Sequence, residues 1–138
     1  MRTVDILNRI ASACPSFGSV GHALSAPLAM TMPAAMVCPV KAVAATNYAL
    51  EQGVEQHLTE VFGVYILLKR RTDGDADAGA ADDLDDLRAE LQAALIGFYV
   101  SGDDAPLALA GGQIDQFAPG IVTWREDFTT YRFVRVIP

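Results

Sequence analysis

The longest uninterrupted pattern in the chain runs from Val54 to Lys69, with no proline and one glycine, Gly63. From Phe62 onward both alternating faces are largely apolar, the pattern of a central strand. Before that both faces are mixed. Glu55, His57 and Thr59 lie on one face, and Gln56, Leu58 and Glu60 on the other. Read as one strand at about 3.3 Å per residue, the segment reaches on the order of 50 Å, whereas a strand is usually about five or six residues long. The change of character at Val61 and Phe62 predicts that Val54–Glu60 leaves the core of its own subunit and contacts a neighbour. The competing expectation is a hairpin arm bent back on its own sheet.

The other elements follow from periodicity and punctuation. Val4, Ile6, Leu7, Ile10, Ala11 and Cys14 repeat at helical spacing after Thr3, a candidate cap, and before Pro15, a stop. SFGSVGHALSAPL reads as turn and irregular chain. MTMPAAMVCPV reads as an edge or interrupted strand, because proline cannot donate to a sheet ladder. KAVAATNYALEQ reads as loop with a helical turn. Leu84, Leu87, Leu91, Leu95 and Phe98 make a single apolar stripe, the clearest helix of the sequence, with Asp82 or Asp83 as its cap. LALAG, GQIDQF, IVTWRE and TTYRFVRVI read as short strands. In the last of these Tyr131, Phe133, Arg135 and Ile137 share one face.

This order predicts an α+β fold: a mixed or antiparallel β-sheet with two main helices packed on one face and a long extended strand or hairpin. One domain, residues 1–138, is expected, with a flexible acidic loop at 72–83. Hydrophobic residues are 51% of the chain, enough for a core without disulfide or metal. Cys14 and Cys38 are expected as reduced thiols, with a disulfide as the lesser reading. No apolar run approaches the roughly 20 residues that span a bilayer. The net charge of −7 excludes a basic footprint for nucleic acid.

Chemistry leaves little trace. His22 and His57 are the histidines, and no serine has a patterned base beside it. The sequence carries no GxSxG elbow, HExxH, P-loop or GxGxxG. DGDADAG alternates aspartates as a calcium loop does, but the twelfth position from Asp73 is Leu84, where such a loop needs glutamate. Asp73, Asp75 and Asp77 are therefore read as a solvated loop. Trp124 is open to two readings, interface anchor or core. No catalytic residue, metal or cofactor is expected.

In order, TVDILNRIASACP, GVEQHLTEVFGVYILLK, DDLDDLRAELQAALIGF and GGQIDQFAPGIVTWREDFTTYRFVRV resemble the tail terminator (tail completion) proteins of long-tailed bacteriophages. The resemblance covers nearly the whole chain and rests on element order and residue character. It implies a non-enzymatic virion protein, made in the host cytoplasm, that forms a homo-hexamer ring at the head-proximal end of the tail. Such a ring ends tube polymerisation and offers a head–tail joining surface. The implied partners are further copies of the chain, the tail tube protein and a head–tail connector or stopper protein, with no membrane. Genomic DNA would pass through the lumen without specific binding. The candidate subunit or tube interface is Glu55, Gln56, His57, Leu58, Thr59, Glu60 and Trp124. The candidate lumen or rim loop is Asp73, Asp75 and Asp77. Alternatives are another neck or head–tail connector protein and, from a different class, a small-ligand binder or enzyme assembled from scattered residues.

Overall fold

The computed structural model describes residues 2–23, 31–47, 49, 52–69, 76–118 and 120–136. Their order is α1 (Thr3–Ala13), β1 (Ser19–His22), β2 (Ala34–Ala44), β3 (Val54–Lys69), α2 (Ala76–Leu95), β4 (Ala108–Ala118) and β5 (Ile121–Val136). The five strands form one sheet in the order β1-β2-β3-β5-β4. β1 pairs with β2 in parallel, and every other neighbouring pair is antiparallel. The fold is therefore α+β with a mixed sheet, as the sequence predicts.

Alternation fixes which face is dry. Phe62, Val64, Ile66 and Leu68 of β3 stand opposite Phe128, Glu126, Trp124 and Val122 of β5. Ala35 and Val37 of β2 continue this face. Against it pack Ile6 and Ile10 of α1 and Leu87, Leu91, Ala94 and Leu95 of α2. Both helices thus cover one side of the sheet. At the centre the Phe62 and Phe128 rings stack at 5.5 Å. Burying a side chain of this size contributes about 1.5–3 kcal/mol.

The long strand is present over the predicted residues, and its polar half has a partner in its own chain. β5 is also a single strand, and the two pair along their whole length, from Val54↔Val136 to Lys69↔Ile121. β2 accompanies β3 from Leu67↔Ala34 as far as Leu58↔Ala44. The result is an arm: three strands at its base and a β3–β5 ribbon at its tip. Both backbone edges of β3 are taken from Leu58 to Leu67; at the tip the edge opposite β5 is met, among the described residues, by the Ala45 N–H on the His57 carbonyl and by Asn47 Oδ1, which accepts from the Glu55 N–H.

Several expectations are corrected. Thr3 is the first helical residue; Arg2 occupies the cap and no side chain caps the helix. The segment read as irregular contains β1, whose small residues allow parallel pairing with Ala34–Val37. For β2 the reading of an interrupted strand holds: it is inner beside β1 as far as Val37 and an edge past it. A register shift absorbs the Pro39 region, and the strand continues through Lys41–Ala44, where the sequence predicts loop. LALAG and GQIDQF are one strand with two register shifts, and IVTWRE and TTYRFVRVI are one.

α2 begins at Ala76, not at Asp82 or Asp83, so much of the acidic segment expected as a loop at 72–83 is helical. Alanine is the best helix former, and acidic residues suit the positive end of a helix. Ala80 is buried in the core and ties this part of the helix down. Asp73 and Asp75 lie outside the described residues, as does the side chain of Asp77. α2 stops where Gly97 takes φ +87°, a left-handed conformation that glycine adopts without strain.

Candidate assembly surface

The predicted interface segment, Glu55–Glu60, lies on both faces of the arm. On the face turned away from the helices, His57 stands opposite Phe133 and Thr59 opposite Tyr131. The His57 ring is tilted over Tyr131 at 4.3 Å and meets the edge of Phe133 at 5.4 Å. Thr59 Oγ1 is 3.5 Å from His57 Nδ1. Phe133 is 45% exposed and Val43, across from Thr59 on β2, is 55% exposed. Val43, His57, Tyr131 and Phe133 thus form an aromatic and aliphatic patch on the outer face of the arm.

The charges around it are paired inside the subunit. Arg135 Nε lies 3.4 Å from Glu55 Oε1 and its guanidinium sits 5.5 Å from the Phe133 ring centre. On the helix-side face Arg132 Nε donates to Glu60 Oε1 at 3.0 Å. Burial is the largest single influence on the Glu60 carboxyl and acts to raise it, but the Arg132 hydrogen bond and charge, together with those of the chain's N-terminus, outweigh it and the group is held below its ordinary range. Gln56 Nε2 donates to the Ala45 carbonyl at 2.9 Å, and Leu58 is half-buried beside Ala44. The sequence shows these glutamates but not their partners, because only the β3–β5 register brings Arg132 and Arg135 alongside.

Trp124 lies elsewhere, on the helix side at the other end of β5. It packs against the core, with the Arg88 guanidinium 4.6 Å from its ring centre. Arg88 also donates to the buried Glu126 carboxylate, from Nε at 2.6 Å and Nη2 at 3.3 Å, and Gln92 joins it at 3.4 Å. Gly112 on β4 is required here, since a Cβ would stand 2.5 Å from Glu126 Oε1 and 2.9 Å from the indole. Trp124 therefore backs the β4 edge, beside the exposed Ile114.

An open cleft of about 300 Å³ lies where Leu68 and Lys69 meet Asp83, Asp86 and Leu87 of α2. Among the described residues no group of three or more His, Cys, Asp and Glu side chains is placed to hold a metal ion. No helix among them is long and apolar enough to cross a membrane.

The fold and these surfaces define a small α+β protein whose exposed features are suited to contact with other chains. Residues 2–137 match the Phage tail terminator protein family, and the chain belongs to that family of bacteriophage tail proteins. A search of curated proteins found no match.

Proposed function

We propose that this protein caps the tail tube: six copies form a ring at the head-proximal end, stop tube polymerisation and present the joining surface for the head. The family match over residues 2–137 carries this reading. The arm supports it, because the patch around His57, Tyr131 and Phe133 gives each subunit an apolar surface directed away from its own core. Glu55–Glu60 then serve the subunit or tube contact through their side chains, with Trp124 steadying the opposite edge. The chain's net charge of −7 suits a ring through which DNA passes without being held. Asp73, Asp75 and Asp77 are assigned to its lumen or rim.

The test is tube assembly in the presence and absence of the protein, read by electron microscopy. Tubes ending in a six-fold ring at one end, no longer able to elongate, are the expected result. Tubes that keep growing with the protein bound along their sides or not at all would overturn the proposal. Phe133→Asp should fold normally and cap poorly.

A further inference from the structure

We infer that neighbouring copies are joined edge to edge, β4 of one pairing antiparallel with the free part of β2 of the next. The inference rests on the ring reading above and specifies its contact. The sheet ends in two different edges. On one side β1 covers only Ala34–Val37, and among the described residues no strand pairs with the outer side of β2 from Cys38 to Ala44. On the other side β4 pairs with β5 alone. Residues Pro39–Ala44 and Ala108–Asp115 are exposed. Exposed edges carry unmet backbone donors and acceptors and are templates for another strand.

Direction and charge favour these two edges as partners. β2, β3, β5 and β4 alternate in direction, so β4 runs antiparallel to β2. A rotation about an axis along the strands brings β2 of the next copy beside β4 without reversing it, and the new pair is antiparallel. Such a contact joins unlike surfaces, the kind that closes into a ring. Lys41 is the one charged residue of Cys38–Ala44, and Asp115 is the one charged residue of Ala108–Ala118. Val40 and Val43 are exposed on the first edge, and Leu109 and Ile114 on the second. Each edge therefore offers aliphatic side chains and a charge opposite to its partner's. Register shifts in β4 at Leu109/Gly111 and Ile114/Gln116 are the competing feature, because bulges are also a device that keeps edges apart.

The experiment uses the full chain, with assembly followed by analytical ultracentrifugation across a concentration series. Lys41→Glu and Asp115→Lys should each raise the concentration at half-assembly by roughly tenfold, and the double variant should restore it. Thermal melting of all three should match the unaltered protein. In a Cys38→Ser background, Val43→Cys with Gln113→Cys, which share the outer face and lie opposite each other when Lys41 meets Asp115, should give a ladder of disulfide-linked copies under oxidation. Assembly of the unaltered protein with no effect of either charge change and no ladder would overturn edge pairing and leave the ring reading standing. Loss of assembly in both single variants without rescue and without a ladder would also overturn it. A chain that stays monomeric at every concentration would overturn the ring reading itself.

Discussion

Arg88 on α2 meets Glu126 on β5 at 2.6 Å, and the carboxylate it meets has no exposed surface. The pair pins the helix layer to the sheet at the strand next to the β4 edge. Removing one member should cost more than the pair contributes, because the other is left desolvated. Arg88→Ala leaves the fully buried Glu126 carboxylate without its cation and is expected to destabilise the fold by about 3 kcal/mol, while Arg88→Met with Glu126→Leu should recover most of it. Chemical denaturation of the two variants checks this, and equal losses would refute it.

Leu91 is fully buried in the middle of the α2 stripe. Leu91→Ala should cost about 2–5 kcal/mol in urea or guanidinium melts. A loss below about 0.5 kcal/mol would mean that the helix does not pack on the sheet as described.

Glu60 sets a pH dependence. Burial acts to raise its carboxyl, but Arg132 and the chain's N-terminus together hold it low in the folded state, so the stabilisation is fully present above the unfolded value of about 4.3 and is lost as pH falls through the folded value. Because the pair is partly exposed, Glu60→Gln should cost only about 0.5–1 kcal/mol at pH 7. The gap between the variant and the unaltered protein should narrow in acid. A gap that widens as pH falls would contradict the sign.

The two cysteines should differ in reactivity. Burial, then Glu90, pushes the Cys14 thiol up to about 11, while Cys38 is partly exposed on β2. At neutral pH a thiol reagent should label Cys38 and leave Cys14 untouched until denaturant is added. Mass spectrometry of the labelled peptides reads the result, and rapid native labelling of Cys14 would refute it.

Sequence patterning revealed the elements that rely on bulk apolar periodicity. β3 has an unbroken run with no breaker, and the α2 stripe repeats at helical spacing, so both were legible. β1 was hidden because Ser19, Gly21 and His22 carry no strand signal of their own; parallel pairing with β2 supplies it. The first turns of α2 were hidden because their aspartates read as a solvated loop, whereas the alanines between them favour helix and Ala80 is buried. The polar half of β3 was legible as a change of character at Val61 and Phe62. Its partners were not, since the positions of Arg132, Tyr131, Phe133 and Arg135 beside it depend on a register between strands far apart in the chain.

That separation sets the order in which the molecule becomes competent. β2 and β3 are neighbours in sequence and can meet early, since closing a short connection costs less entropy than closing a long one. β5 arrives only after α2 and β4, and it brings Arg132, Arg135, Tyr131 and Phe133 to the arm. A nascent or half-folded copy therefore lacks the aromatic surface and leaves Glu55 and Glu60 without these arginines. Under the proposed function the arm would act as a maturity check, because the surface formed by His57, Tyr131 and Phe133 is complete only once β5 is in place.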